Sequence, residues 1–370
     1  MLRAVPMTPV EALREQFPVF EQTAYLNAGT CGPLPAQALR AGADSALAAA
    51  ERGRGKAYFD DLREAREDLR GRYAVALGAD ASEVALTTAT SEGVVRVLSG
   101  LGLRPGDEVL TAPDEHPGVL GPLASAARTV GIEVRTAPFE DLVEAVEPGR
   151  TKLVACSHVS WVTGRLAPAA LAEVGREIPV LLDGAQGVGA VPVDLDALGC
   201  AFYAGSGQKW LCGPVGTGML WVSPAWRERL SPLGPTYPNL EDPGAGLDAR
   251  PWPDARAHDT FAQAAQILRA AAAAARVLED AGWADVHECA AAQAALLASR
   301  LEAAGREVAP RDATTLVSWE EPDPDAAVER LAAAGVVVRG LPGTRYVRAS
   351  VGAWNATGDL DRLHAALQAG

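Results

Sequence analysis

Lysine is almost missing from this chain. Of 33 basic residues among 370, only Lys56, Lys152 and Lys209 are lysines. Cysteine is sparse too. Cys31, Cys156, Cys200, Cys212 and Cys289 are odd in number and lack both metal-site spacing and the pattern of a secreted disulfide framework. Such a set suits a reducing cytoplasm, which is the expected location. There is no surplus of positive charge: the net charge of −14 argues against a nucleic-acid partner, which needs a basic face. No apolar stretch reaches the ~20 residues that cross a bilayer, so no membrane partner is expected. Residues 1–9 carry no apolar leader segment, so no signal peptide is expected. The alanine-rich stretch Arg269–Ala275 is too short to span and reads as buried helix. No internal repeat is visible. Hydrophobic residues make up 48% of the chain, which supports a large core and more than one domain.

Two stretches organise the rest. Pro179–Leu182 is a short apolar run that reads as a buried strand, and it ends in Asp183-Gly184-Ala185-Gln186. Ala201–Ala204 reads as a second strand and ends in Gly205-Ser206-Gly207-Gln208-Lys209-Trp210. Arginine serves for charge almost everywhere else, so a lysine kept at a strand end points to amine chemistry. Arginine stays protonated, whereas a lysine in a closed pocket can lose its proton and form a Schiff base. A pyridoxal phosphate (PLP) cofactor needs such a lysine for its aldehyde and a carboxylate for its ring nitrogen. Lys209 and Asp183 supply that pair. Gln186 is placed to donate to the ring's phenolic oxygen, and Ser206, Gln208 and the turn amides to hold phosphate. A capped turn with a solvated lysine has the same spacing, since strand-end acids are common caps.

With Ser206-Gly207-Gln208-Lys209-Trp210-Leu211-Cys212-Gly213-Pro214-Val215-Gly216-Thr217-Gly218 behind Asp183-Gly184-Ala185-Gln186, the sequence resembles the class V aminotransferase group of fold-type I PLP enzymes. That group includes cysteine desulfurases, cysteine/cystine C–S lyases and isopenicillin N epimerase-like proteins. The resemblance runs from about Tyr25 to the C-terminus. It implies PLP as cofactor, an amino acid as substrate and a homodimer with its active site near the subunit interface.

The resemblance also assigns roles. Thr87–Gly93 opens a helix, and hydroxyls with free amides at a helix N-terminus make an anion site. Thr90 and Ser91 match the phosphate-gripping residues, although a capping box with Glu92 is the plain alternative. His116, in Glu115-His116-Pro117-Gly118, matches the aromatic that stacks on the pyridine ring, and it is a candidate proton carrier. Trp161 stands where desulfurases commonly have asparagine; it can line the pocket and donate one hydrogen bond but cannot copy an amide. Gln208 replaces a common histidine and can still donate to phosphate. Thr260 matches a residue that reaches the neighbouring subunit's phosphate. Arg348 matches the arginine that grips the substrate carboxylate, and a bidentate guanidinium is the natural partner for that group. Arg339 is a second candidate. Asn27, with Thr30, is a candidate substrate contact in a segment that folds back over the site. His158 reads as structural.

The expected fold is α/β: a PLP-dependent transferase of fold type I, with a mainly parallel seven-stranded sheet in the large domain and a smaller α+β domain. The large domain covers 23–245, and the small one 1–22 and 246–370. Expected elements include a helix over Pro9–Phe17, strands over Glu83–Leu86, Glu108–Ala112, Leu153–Ser157 and Pro214–Val222, and a long loop over Pro232–Pro253. Asp194–Cys200 reads as a surface helix. In the small domain, Thr315–Trp319, Val336–Arg339 and Tyr346–Val351 read as strands, and Thr357–Gln368 as the last helix.

Desulfurases carry a persulfide cysteine on the loop before the arginine strand. Here that loop is Arg339–Arg345 and has no cysteine, and no cysteine follows Cys289. The expected function is therefore PLP-dependent β-elimination on a cysteine- or cystine-type substrate, with Lys209 as base and acid, Asp183 holding the ring nitrogen and His116 protonating the leaving sulfur. A class V aminotransferase and an amino-acid epimerase are the alternatives, followed by a non-catalytic PLP-binding protein.

Overall fold

The computed structural model describes residues 9–369. In chain order its strands are β1 (Ala24–Tyr25), β2 (Val84–Thr87), β3 (Glu108–Thr111), β4 (Glu133–Thr136), β5 (Thr151–Ser157), β6 (Val180–Asp183), β7 (Phe202–Ser206), β8 (Gly218–Val222), β9 (Leu316–Glu320), β10 (Val336–Val337), β11 (Arg339–Gly340) and β12 (Tyr346–Ser350). The seven from β2 to β8 form one sheet, ordered β2-β8-β7-β6-β5-β3-β4. Pairing is parallel except at β8, which runs antiparallel to both neighbours. Strands covered on both faces read as unbroken apolar runs. Accordingly β2, β6 and β7 are buried along their whole length. This is the expected mainly parallel seven-stranded α/β architecture.

Because β2, β3, β5, β6 and β7 point the same way, whatever follows their carboxyl ends gathers along one sheet edge. Thr90, His116, Trp161 and Lys209 follow the ends of β2, β3, β5 and β7, and Asp183 closes β6. Residues far apart in sequence therefore meet through topology alone.

A second core lies between an antiparallel sheet ordered β11-β12-β9 and the helices Trp283–Ala303, Pro324–Ala333 and Thr357–Gln368. Leu297, Trp319, Leu331, Val347 and Leu363 fill it. This is the expected α+β arrangement. Ala24 and Leu26 also pack in this core, because β1 pairs parallel with β10. The segment that follows crosses to the large sheet, where the N–H of Gly32 donates to the Gln208 carbonyl at 2.8 Å. Of the terminal piece assigned to the small domain, and of the stretch read for a leader, residues 1–8 lie outside the described residues.

Several elements differ from expectation for local reasons. The helix from Pro9 is α-helical only to Ala12, continues as a 3-10 turn over Leu13–Gln16, and stops because Pro18 forces Phe17 into an extended conformation. β8 begins at Gly218 rather than Pro214, since a proline has no N–H to give the ladder. Val336–Arg339 is not one strand: Val336 and Val337 pair with β1, while Arg339 turns to pair with Arg348 on β12. Asp194–Cys200 shrinks to one turn, Leu195–Leu198, capped by Asp194 and ended by Gly199 in the left-handed conformation. β4 has no counterpart in the sequence reading. It is a largely exposed edge strand of Glu-Val-Arg-Thr, held through the ion pair of Arg135 with buried Glu108 at 2.9 Å.

One buried ion network braces the start of the sheet. The guanidiniums of Arg70 and Arg66 donate to Asp259 at 2.9 and 2.8 Å, and Asp259 also accepts the N–H of Leu86 at 2.8 Å. Removing one partner from such a cluster costs about 3–5 kcal/mol, because a charge is left buried and uncompensated.

Candidate active site

A cavity of about 170 Å³ opens at the carboxyl edge of the sheet. Thr90, Ser91, His116, Trp161, Asp183, Gln186, Ser206, Gln208, Lys209, Arg339 and Arg348 all line it, together with Gly29 and Thr30. The fold thus brings together nearly every residue singled out in the sequence. Two stand apart. Asn27 sits one layer back, in a backbone bridge with Ser350, with its Oδ1 buried and unpartnered among the described residues. Thr260 is buried and does not line this cavity; its N–H donates to the Leu86 carbonyl at 2.7 Å.

Lys209 follows β7 and faces Asp183 at the end of β6. Burial pushes its amine down to about 8; Asp183 opposes the shift, while Arg348 and Arg339 add to it. Asp183 is 6% exposed. Burial raises its carboxyl, and Lys209 and the Ala185 N–H, bound at 2.9 Å, hold it back. A buried acid facing an amine that can shed its proton near neutral pH is the electrostatic pair that Schiff-base chemistry requires.

The helix Thr90–Gly100 points its N-terminus at the cavity. Its cap, Ala89, offers no side-chain oxygen, and the buried Thr90 hydroxyl has no partner among the described residues. Uncapped N–H groups beside an unpaired hydroxyl fit a phosphate. Glu92, the acid of the alternative capping reading, turns back to the N–H of Thr88 at 2.6 Å and pairs with Arg96 at 2.7 Å. Nearby, the Ser206 hydroxyl donates to Gln208 Oε1 at 2.7 Å.

Nδ1 of His116 accepts the N–H of Gly118 at 2.9 Å, which fixes the ring over the cavity. Burial, then the cations Lys209, Arg348 and Arg339, press its basicity down to about 4, so the ring is neutral at pH 7. Trp161 meets it edge to face, with centroids 5.2 Å apart. The Trp161 indole N–H goes to the Asp114 carbonyl at 2.8 Å and is already engaged. The backbone carbonyl of Trp161 accepts from Arg348 Nη1 at 2.6 Å. Arg348 is 2% exposed and Arg339 stands opposite it across the β11–β12 ladder. Neither makes an ion pair among the described residues, and Arg348 Nε is buried without a partner. Burial and Arg339 lower Arg348 to about 9, still charged at neutral pH. Two guanidiniums without a carboxylate form a ready anion site.

Several supporting residues escaped the sequence reading. Trp210 donates its indole N–H to Gln186 Oε1 at 2.9 Å, and Gln186 Nε2 donates to the Gly29 carbonyl at 2.8 Å, so the amide is oriented from both ends. Only the fold joins residues this far apart, and no spacing signals them. Two glycines of the crossing segment are crowded, and at Gly32, which faces backbone, glycine is obligatory. A Cβ on Gly29 would lie 2.9 Å from Arg348 Nη2, and one on Gly32 would lie 2.0 Å from the Lys209 carbonyl. His158, read as structural, pairs with the Tyr203 hydroxyl at 3.0 Å behind the Asp183 turn.

The lysine–aspartate pair, the open helix N-terminus and the cavity-lining histidine, at the carboxyl edge of a mainly parallel sheet, define a PLP-dependent enzyme of fold type I. Comparison with known proteins agrees. The Aminotransferase class-V family profile matches residues 25–363, and the chain belongs to that family. It is 36% identical to an isopenicillin N epimerase of Streptomyces clavuligerus over 202 residues, 51% of this chain and 50% of that protein. It is 32% identical to a probable cysteine desulfurase of Methanothermobacter thermautotrophicus over 260 residues, 65% of this chain and 64% of that protein. These matches span between half and about two thirds of the relatives' own lengths. The fold superposes on the cystine C–S lyase C-DES, solved with its product cysteine persulfide, at a TM-score of 0.89 and 25% identity, covering 95% of this chain and 99% of that one. Another structure of C-DES holds glycine covalently linked to its PLP cofactor. No helix among the described residues is long and apolar enough to cross a membrane.

Proposed function

We propose that this enzyme catalyses β-elimination on a cysteine- or cystine-type amino acid, without a persulfide cysteine, as a cytoplasmic homodimer. The observation that carries the reading is a cavity lined, among the described residues, by an amine, an acid and two arginines without ion-pair partners but by no cysteine; Cys31, next to lining Thr30, acts on Lys209 without being part of the lining. The Arg339–Arg345 loop beside it has no cysteine either. The likeness to a cystine C–S lyase leans the same way, and Trp161 departs from the asparagine that the resemblance gives to desulfurases.

When bound, PLP supplies an electron sink that lets the substrate α-carbon release a proton. Asp183 holds the positive charge at the ring nitrogen, and Thr90, Ser91 and Gln208 hold the phosphate. Thr260 is assigned to the phosphate of the partner subunit. Arg348, aided by Arg339, grips the substrate carboxylate and fixes the α C–H bond toward Lys209. With a basicity near 8, Lys209 both takes and returns protons at neutral pH. His116, neutral in this range, keeps its Nε2 proton and donates it only as a hydrogen bond to the departing sulfur, which takes its proton from Lys209. The sulfur leaves as thiol or persulfide, and the three-carbon remainder hydrolyses to pyruvate and ammonia.

Identity to an isopenicillin N epimerase favours epimerisation as a second reading: the same lysine withdraws the proton, which returns on the opposite face. The test is to supply the PLP-loaded protein separately with cystine, with cysteine, and with alanine plus a keto acid. Pyruvate with persulfide or sulfide is expected from cystine. A new amino acid formed from the keto acid, or inverted substrate without pyruvate, overturns elimination in favour of transamination or epimerisation.

A further inference from the structure

Glu115 is a buried acid for which binding and catalysis have found no use. It follows β3, is 4% exposed, and does not line the cavity. One carboxyl oxygen accepts the N–H of Ser157 at 2.7 Å, and the other accepts the Ser157 hydroxyl. Ser157 ends β5 and stands in register opposite Asp183 on β6, and the next residue, His158, donates its N–H to the Asp183 carbonyl at 2.8 Å. Glu115 is also the chain neighbour of His116. The carboxyl therefore ties the histidine of one strand end to the acid of another.

We propose that Glu115 is a positioning residue for the cofactor: through Ser157 it fixes His116 and Asp183 relative to each other, and through its own charge it sets how tightly the bound ring system holds its protons. The proposal rests on cofactor binding and not on elimination, so either can fail without the other.

The surroundings explain why the charge matters. Asp114 on the same loop, the Cys156 thiol on β5 and Asp183 on β6 act on or feel the carboxyl, and no arginine or lysine pairs with it among the described residues. Lys209 acts on Asp183 and His116 instead. Burial foremost, with Asp183 and Asp114, pushes Glu115 up to about 7 against the pull of the Ser157 bonds. Both protonation states suit the same geometry. The carboxylate accepts both Ser157 donors, while the neutral acid keeps the N–H bond and donates its proton to the hydroxyl oxygen. Losing that proton adds a negative charge beside Asp183 and turns only the Ser157 hydroxyl hydrogen, with the heavy atoms in place.

The experiment is a pH titration, without substrate, of the visible absorption band of the PLP-loaded protein, comparing wild type with Glu115→Gln. The amide copies the neutral acid and still meets both Ser157 groups. The expected result is a titration midpoint about one pH unit lower in the variant, because the charge that holds protons on the ring system is gone. Ser157→Ala removes only the hydroxyl bond, which disfavours the ionised acid, and its midpoint should fall between the other two. It keeps the test decisive if the glutamine variant does not load. Midpoints that coincide with wild type in every variant that loads overturn the proposal.

Discussion

At the scale of single residues, the chemistry rests on cations set against burial. Lys209, Arg348 and Arg339 share one cavity, and each makes its neighbours harder to protonate. His116 is buried and also feels all three, so it is neutral where a free imidazole is half charged. His116→Phe should keep an aromatic ring and the PLP band but lose the Nε2–H that donates a hydrogen bond to the departing sulfur. Turnover is then expected to fall about 10²–10³-fold with little change in PLP affinity. A variant that keeps full turnover would strip His116 of that role. Lys209 and Asp183 were legible because a strand-end acid and a scarce lysine conflict with the surrounding apolar pattern. Glu115 and Trp210 were not: each serves through a partner on another strand or turn, which no local pattern encodes.

At the scale of elements, the strands that build the site were the easiest to read. β2, β6 and β7 are short apolar runs bounded by Gly, Ser or Asp, as doubly covered strands must be. Reading failed where an element lacks such a face. β4 is an edge strand of mostly polar residues whose partner is β3, 25 residues earlier at Glu108↔Glu133, and whose anchor is the Arg135–Glu108 pair. β10 and β11 split because two consecutive short segments pair with different sheets, a choice made by tertiary neighbours and not by propensity. The segment between β1 and Gly32 matters beyond its length. It begins in the second core and ends against the backbone of Gln208 and Lys209. Its two crowded glycines mark the places where it presses on the lysine turn and on Arg348.

At the scale of the whole molecule, stability should depend on pH through groups buried against their ionic preference. His116, His158, His258 and His287 are each lowered from the usual 6.5 to about 4, mainly by burial. A lowered histidine means that the unfolded chain binds the proton first. The stabilisation is complete above pH 6.5 and is lost as pH falls toward 4. Glu115, raised to about 7, acts in the other direction: its stabilising share is complete below about 4.5 and fades as pH rises through 7. Denaturant midpoints should therefore drop steeply on the acid side of neutrality. Midpoints that are flat between pH 4 and 6.5 would contradict the burial of these imidazoles. The overall architecture was legible because strand-end motifs recur in the order a doubly wound sheet requires. The assignment of Thr260 to a partner's phosphate comes from resemblance and rests on the proposed homodimer.

The scarcity of lysine makes the central claim directly measurable. Reducing the PLP-loaded protein with borohydride fixes the cofactor to its amine, and peptide mass analysis then locates the label. The expected result is a single modified peptide containing Lys209, absent in Lys209→Ala. A label on Lys56 or Lys152, or none on Lys209 in a fully loaded protein, would contradict the assignment of this site.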